Sequence, residues 1–270
     1  REKNRAYYQE HLVENKLAIA QLTQKLQNTL LLRAEDEGGT GRAGRLRPEL
    51  AWRAGALGDE RVFSRRSPQE PGELSVDLLL DASASRLHCQ EVIAAQGTIL
   101  AQSLAACGIP VRVSSFCSLR GYTVLRVLKG FADKSLQGID QYFASGWNRD
   151  GLALRAAGDL VSFDPGPAPR HLLILLTDAS PNDSRRVPPS PEQPLGCDYG
   201  GSYGVDDAAA EVRTLRRKGL RVSAVFMGED SSSHDAERIY GKNLARIRGM
   251  DQLARAAGRL IQNEIRELGD

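Results

Sequence analysis

The stretch Leu74-Ser75-Val76-Asp77-Leu78-Leu79-Leu80-Asp81-Ala82-Ser83-Ala84-Ser85-Arg86 decides how the rest of the chain is read. Its apolar run ends at Leu80, is too short for a globular helix, and is preceded by Pro71 and Gly72. That length and that flanking predict a strand buried on both faces, as in a parallel sheet. The character then changes at once. Asp81, Ser83 and Ser85 place a carboxylate and two hydroxyls at alternate positions just past the strand end. Taken alone, the serines also fit the N-cap of a following helix, so the cluster needs a second element beside it before it means more.

That second element lies downstream. His171 to Thr177 (HLLILLT) is the most apolar strand of the chain and ends in Asp178. Between the two lie a helix over Gln90–Cys107, closed by Gly108, and a strand over Pro110–Phe116. A third strand over Tyr122–Leu128 is joined to it by the tight Ser118–Gly121 connection, which predicts an antiparallel edge pair. A short helix is expected over Leu136–Phe143 and another over Gly151–Val161, after the polar loop Gly146-Trp147-Asn148-Arg149-Asp150. Beyond Asp178 come a long loop over Ala179–Gly204, rich in Pro, Ser and Gly, then a helix over Val205–Lys218 and a strand over Leu220–Met227. The tail, Ile239–Leu268, is helical in pattern but broken near Asn243–Met250, where a short edge strand fits. A loop as long as 179–204 reads as partner-binding or as disordered.

Alternating strands and helices over 74–268 predict an α/β fold, a doubly wound and mostly parallel sheet with one antiparallel edge strand. Arg1 to Leu32 reads as a helical N-terminal extension. Leu12, Ile19, Leu22, Leu26 and Leu30 form its apolar stripe, and the heptad fails at Asn15. Gly38, Gly39, Gly41 and Gly44 end it. The division is therefore 1–73, extension and linker with a short helix near Pro48–Arg53, and 74–270, the sheet domain.

Composition removes several classes. The 270 residues are 41% hydrophobic and 26% charged with a formal charge of +2, ordinary for a globular protein and no footprint for a polyanion. The stretch from Arg33 to Glu73 mixes eight arginines with eight acids and reads as solvated surface. Four dispersed cysteines, Cys89, Cys107, Cys117 and Cys197, read as reduced thiols of a cytoplasmic protein. No run reaches membrane-spanning length and no signal peptide is visible. The chain opens at Arg1 without Met and already helical, which reads as a piece of something longer.

In doubly wound sheets ligands bind beyond the carboxyl ends of the strands, where strand order reverses. Two strands here end in polar clusters, Asp81-Ala-Ser-Ala-Ser and Thr177-Asp178-Ala-Ser180. Carboxylates and hydroxyls are hard oxygen donors suited to Mg²⁺, with Ca²⁺ or Mn²⁺ as variants, and poorly suited to zinc or copper. Ser83 and Ser85 would supply neutral oxygens, and Asp81 and Asp178 would bind directly or through water. Neutral ligands leave much of the ion's charge uncompensated, so an open position would attract a carboxylate from a partner.

These residues resemble the von Willebrand factor A (vWA) family. Asp81, Ser83 and Ser85 match the Asp-x-Ser-x-Ser of its metal-ion-dependent adhesion site (MIDAS), and Asp178 matches its later aspartate. The family expects a Thr ahead of a Gly-x-Ala-Leu helix start; this chain has Asn148 ahead of Gly151-Leu152-Ala153-Leu154. An Asn oxygen is neutral and able to ligate. Asp150 is the substitute ligand, at the cost of quenching the ion's charge. Thr177-Asp178-Ala179-Ser180-Pro181-Asn182-Asp183, Tyr203-Gly204-Val205-Asp206-Asp207 and LRVSAVFM look like the vWA proteins that activate nitric oxide reductase. The Gly41–Phe63 region also looks like the segment preceding the vWA domain there and in the cobaltochelatase vWA subunit. Those proteins work beside a MoxR-type AAA+ ATPase. The resemblance implies such a partner here, together with a client that offers an acidic side chain, no nucleic acid, no membrane insertion and no catalysis.

The enzyme alternative is a Mg²⁺-dependent phosphotransfer hydrolase using the strand-end Asp81. It resembles the haloacid-dehalogenase family in outline only, since Ser83 stands where a second Asp is required. No Gly-x-Gly-x-x-Gly follows the first strand, and no Gly-x-x-x-x-Gly-Lys-Ser/Thr is present. Of the other polar residues, Asp206 and Asp207 read as helix N-terminal acids. Asp183 reads as a further acidic contact, His88, His171 and His234 as isolated, and Trp147 as loop packing or a recognition contact.

Overall fold

The structure, a computed structural model, describes residues 1–37, 40–42, 45–64, 73–189, 194–228 and 230–267. The strands in chain order are β1 (Thr40–Gly41), β2 (Arg45–Leu46), β3 (Phe63–Ser64), β4 (Leu74–Asp81), β5 (Val111–Leu119), β6 (Tyr122–Lys129), β7 (Arg170–Thr177), β8 (Asp183–Val187), β9 (Cys197–Tyr199), β10 (Arg221–Phe226) and β11 (Leu244–Arg246). The helices are α1 (Glu2–Glu10), α2 (Leu12–Glu37), α3 (Ala51–Leu57), α4 (Gln90–Ala106), α5 (Asp150–Phe163), α6 (Gly201–Arg217), α7 (Ser233–Tyr240) and α8 (Leu253–Glu267).

Six strands form the main sheet in the order β11-β10-β7-β4-β5-β6. All neighbours are parallel except β5 and β6, whose antiparallel hairpin makes one edge. The doubly wound, mostly parallel sheet with one antiparallel edge strand is therefore observed. Every residue of β4 is buried, as a strand covered on both faces requires. Its side chains divide by the two-residue period of a strand. Val76, Leu78 and Leu80 join one core with Leu22, Leu26, Ile93, Leu100 and Ile261, from α2, α4 and α8. Leu79 joins the other, with Phe116, Leu175, Leu154, Val212 and Phe226, under α5, α6 and α7.

The extension is part of this packing. α1 and α2 lie on α4, and α2 also lies on α8. Leu22 and Leu26 are buried there, and Gln262 of α8 donates to the Lys25 carbonyl and the Thr29 hydroxyl of α2. The helix expected over Arg1–Leu32 is interrupted only at His11. Asn15, where the heptad fails, is buried and donates to the Tyr8 carbonyl across that break.

Three expectations change. Leu136–Phe143 is not a helix but a single 3₁₀ turn over Ile139–Gln141. Its apolar residues recur every third position, and Gly138 lies so close to the Leu128 carbonyl that a Cβ would stand 1.9 Å from it. The mostly irregular linker between α2 and β4 carries the expected short helix, α3, and also a small antiparallel sheet of β1, β3 and β2 that was not expected. The 179–204 segment carries the β8–β9 hairpin, and α6 begins at Gly201, four residues earlier than expected. Gly38, Gly39, Gly44, Pro71, Gly72 and residues 190–193 lie outside the described residues.

Candidate metal centre

The chain leaves β4 toward β5 on one side of the sheet and later returns to place β7 on the other. β4 and β7 are hydrogen-bonded neighbours, paired from Leu74↔Arg170 to Leu80↔Leu176. Strand order reverses between them, so their carboxyl ends frame the crevice where doubly wound sheets bind ligands. Asp81 ends one strand and Asp178 follows the other.

The loop after β4 folds back on its own aspartate. Asp81 is fully buried; its Oδ1 accepts the Ser83 backbone N–H at 2.8 Å and its Oδ2 accepts the Ser83 hydroxyl at 3.0 Å. The Ser83 and Ser85 hydroxyls are 2.9 Å apart, and Ser85 Oγ lies 3.4 Å from Asp178 Oδ2. Behind them the Tyr142 hydroxyl donates to the Asp81 carbonyl at 2.6 Å and pins the strand end. Asp178 is aimed by a costly backbone. Ala179 sits at φ 53°, in the left-handed region that a side chain disfavours by about 1–2 kcal/mol. Its N–H is held on the Thr177 hydroxyl at 2.9 Å, and Ser180 N–H caps Asp178 Oδ1 at 3.2 Å.

Backbone bridges bind the third loop to the other two. Asn148 and Asn182 exchange N–H···O bonds of 3.0 and 2.9 Å, and Ser118 and Trp147 exchange bonds of 2.7 and 2.9 Å. Gly146, at φ 72°, is required because a Cβ there would meet the Ser118 carbonyl at 2.4 Å. Ser83, Ser85, Trp147, Asn148, Asp178, Ser180 and Asn182 then line a cavity of 430 Å³ open to solvent.

Of the six residues singled out from sequence, Asp81, Ser83, Ser85 and Asp178 form one hydrogen-bonded cluster, and Asn148 stands on the cavity wall. Asp150 lies deeper. It is fully buried at the start of α5, where it accepts the Thr177 hydroxyl at 2.9 Å and the Asn148 amide at 3.2 Å. Burial, with Asp178 and Asp81 as repelling neighbours, pushes Asp81 up to about 7 and Asp150 up to about 8. Both carboxyls therefore hold a proton more readily than a free carboxylate does.

One residue at the rim was given no role from sequence. Arg86 is buried, donates Nη2 to Asp178 Oδ2 at 2.5 Å and Nε to Ser85 Oγ at 3.3 Å, and holds Nε 3.8 Å from Asp81 Oδ2. The only signal was its place directly after one carboxylate and two hydroxyls, Asp81, Ser83 and Ser85. The remaining acids serve elsewhere: Asp183 pairs with Arg149 at 2.8 Å, Asp206 with Arg238, and Asp207 accepts the Tyr199 hydroxyl at 2.8 Å. The four cysteines are unpaired thiols. Among the described residues no three His, Cys, Asp or Glu side chains converge as a metal group; the cluster is one of carboxylates and hydroxyls.

A small divalent ion fits this donor set. Oxygens at 2.0–2.1 Å from Mg²⁺ in octahedral array stand about 3.0 Å apart along an edge. The separations of 2.9 Å between Ser83 and Ser85 and 3.4 Å between Ser85 and Asp178 lie near that spacing. All donors are hard oxygens, as Mg²⁺ prefers.

No family model matches the chain. Curated relatives do: Protein NorD of Brucella suis is 28% identical over 201 residues, covering 70% of this chain and 29% of the relative. Protein NorD of Stutzerimonas stutzeri is 30% identical over 187 residues, covering 65% and 28%. The chain thus spans less than a third of these relatives. Among solved structures, the vWF domain of the type V pili tip protein Mfa5 from Porphyromonas gingivalis aligns with TM-score 0.53 and 12% identity, over 73% of this chain and 96% of that one. Manganese-loaded Plasmodium vivax TRAP protein aligns with TM-score 0.50 and 17% identity, over 72% and 73%. Proximal thread matrix protein 1 from the mussel byssus, with a zinc-occupied MIDAS motif, aligns with TM-score 0.50 and 16% identity, over 72% and 46%. The fold is that of a vWA domain.

Proposed function

We propose that this chain is a metal-ion-dependent protein-interaction module, a vWA domain with a working MIDAS, that recognises a target on behalf of a MoxR-type AAA+ ATPase. The observation that carries the reading is the convergence of Ser83, Ser85 and Asp178, with Asp81 behind them, from two adjacent strand ends, neighbouring oxygens 2.9–3.4 Å apart, at a solvent-open cavity. Ser83, Ser85 and Asp178 would hold Mg²⁺ or Mn²⁺, with Asp81 behind them fixing Ser83, and Asn148 on the facing wall. Asp150 supports the site from beneath by orienting Asn148 and Thr177. A bound ion supplies an open coordination position that takes a carboxylate oxygen from the partner. Trp147, nearly half exposed at the cavity edge, is the apolar contact beside it.

The ATPase partnership and the metalloenzyme target rest on the likeness to NorD proteins and on the motifs shared with vWA activators of nitric oxide reductase. No helix of the described residues is long and apolar enough to cross a membrane. The hydrolase alternative gains nothing from the geometry. A phosphotransfer nucleophile must present an oxygen to phosphorus, whereas both Asp81 oxygens face Ser83 and the side chain has no exposure.

Calorimetry of Mg²⁺ against wild type and Asp81→Ala tests the site: heat in wild type and none in the variant is expected, and equal heats would refute it. Capture from native lysate with and without Mg²⁺ tests the partner. Recovery of an AAA+ ATPase is expected, and its absence in both conditions would remove that half of the proposal.

A further inference from the structure

Arg86 touches three of the four residues proposed to serve a divalent ion, yet a MIDAS needs no guanidinium. It is 6% exposed, bonded to Asp178 and Ser85 and within 3.8 Å of Asp81. A cation buried against two carboxylates neutralises part of their charge and lowers the cost of burying them together. An incoming divalent ion must use the same oxygens. Asp178 Oδ2 holds the guanidinium at 2.5 Å, so an ion bound to the same oxygen would stand beside a buried cation, and the two positive charges compete for one carboxylate.

The guanidinium has somewhere to go. A second cleft of 490 Å³ shares Asp178 and Ser180 with the first and is lined by Arg86, His88, Met227 and Arg248. His88 and Arg248 are exposed, so a side chain turned that way reaches water. Arg86 follows the serine loop directly, and its long stem allows such a swing without moving Ser85.

Resting on the metal-site reading above, we propose that Arg86 is a tethered counter-ion that holds the aspartates in the metal-free protein and yields Asp178 to a divalent ion. Loading then changes the sign of the rim. Counting Asp81, Asp178 and Arg86, one net negative charge becomes one net positive charge when a divalent ion enters. Without Arg86 the loaded rim would be neutral. The acidic segment of a partner is thus repelled from the empty site and drawn to the loaded one; the step is two charges with or without Arg86, and the guanidinium moves its end point from neutral to positive. Ion and guanidinium act as two ligands in negative linkage, so each weakens the other by the same factor.

The test titrates the whole 270-residue chain with MgCl₂ alone by calorimetry and follows thermal unfolding with and without the ion. Arg86→Met should bind Mg²⁺ more tightly than wild type by about fivefold or more. It should also melt lower than wild type without metal and gain more on Mg²⁺ addition. Arg86→Lys, which keeps a cation but loses the forked geometry, should fall between them. Equal or weaker Mg²⁺ binding by Arg86→Met, with wild-type binding intact and Asp81→Ala inactive, would overturn the counter-ion role and leave the metal site standing. Absence of Mg²⁺ binding in wild type and Arg86→Met alike would overturn both. If Arg86→Met fails to fold, the order of affinities between wild type and Arg86→Lys decides: lysine equal to or weaker than arginine overturns the proposal.

Discussion

β4 carries two arginine–aspartate assemblies on the same face, and they serve different ends. At mid-strand Asp77 pairs with Arg112 of β5 at 2.5 Å, opposite it in register, and the guanidinium also takes the Asp164 carboxylate at 3.1 Å and lies 4.6 Å over the Phe131 ring. Four residues on, roughly 13 Å along the strand, Asp81 and Asp178 meet Arg86. The first assembly is closed by an aromatic ring and a neighbouring strand, and among the described residues no hydroxyl bonds to it. The second has two serine hydroxyls among its acids and a cavity at its mouth. Charge pairing alone therefore does not mark a functional site. What sets the proposed site apart from the closed assembly is its spare oxygen donors with an approach from solvent.

Breaking one partner of each pair separates the two roles, and the largest effect belongs to the closed one. Asp77→Ala leaves the Arg112 guanidinium 1% exposed with only the half-exposed Asp164 carboxylate as counter-charge. Stranding a buried charge costs about 3–5 kcal/mol. Urea unfolding should show a loss of that size with Mg²⁺ heats retained in the fraction still folded. Asp81→Ala should lose less stability, because Arg86 keeps Asp178, and should lose Mg²⁺ binding altogether. A loss of Mg²⁺ binding in Asp77→Ala as well would erase the distinction.

The next effect is on pH dependence of the metal-free protein. Burial and mutual repulsion raise Asp81 to about 7 and Asp150 to about 8, above the carboxylate value of an unfolded chain. The folded state then binds more protons than the unfolded one between about pH 4 and those values. Stability accordingly falls as pH rises through that window, by about 1.4 kcal/mol per pH unit for each group, and levels off above pH 8. Asp150→Asn keeps the shape and one of the two accepted bonds, since its amide nitrogen cannot accept, while removing one titration. Its stability curve should be flatter from about pH 4 to pH 8, and an unchanged slope would show that Asp150 is not the group responsible.

The contrast along β4 also explains what could be read from sequence. The strands were legible because both-face burial writes unbroken apolar runs, as in Leu78–Leu80 and Leu172–Leu176. The donors were legible because Asp81, Ser83 and Ser85 interrupt such a run abruptly, and Asp178 interrupts the next one. That Ser85 and Asp178 stand 3.4 Å apart depends on β4 and β7 being neighbours, which is a property of strand order rather than of either segment. Arg86 was illegible: an arginine at a loop reads as surface until its partners are placed. The β8–β9 hairpin was hidden for a related reason. Asp183-Ser184-Arg185-Arg186 has no apolar alternation, and its anchor is Arg149 from the other loop, which bonds Asp183 and the Arg185 carbonyl and stacks 4.4 Å over Tyr199.

A smaller effect tests whether the open assembly depends on its loop geometry as well as its donors. Gly146→Ala forces a side chain into the left-handed region and against the Ser118 carbonyl. A cost of about 1–2 kcal/mol is expected from the backbone alone. Because the Ser118–Trp147 and Asn148–Asn182 bridges follow directly, Mg²⁺ affinity should fall with it, by more than in any variant of equal stability loss at the Arg112 end. Equal affinities at matched stability would make the loop a bystander.

The smallest expected effect lies between the two assemblies. Tyr142→Phe removes one hydroxyl that donates to the Asp81 carbonyl at 2.6 Å, and nothing else. A single neutral hydrogen bond contributes about 0.5–1.5 kcal/mol, and the ring, 1% exposed, keeps its packing. The strand end would lose the clamp that sets where the Asp81 side chain starts, while Ser83 still holds the carboxylate through two bonds. Stability should therefore drop within that range and Mg²⁺ affinity by less than threefold, about 0.6 kcal/mol. An affinity loss approaching that of Asp81→Ala would mean that Asp81 is positioned from behind by Tyr142 rather than from in front by Ser83, and the open site would then owe its geometry to the core as much as the closed one does.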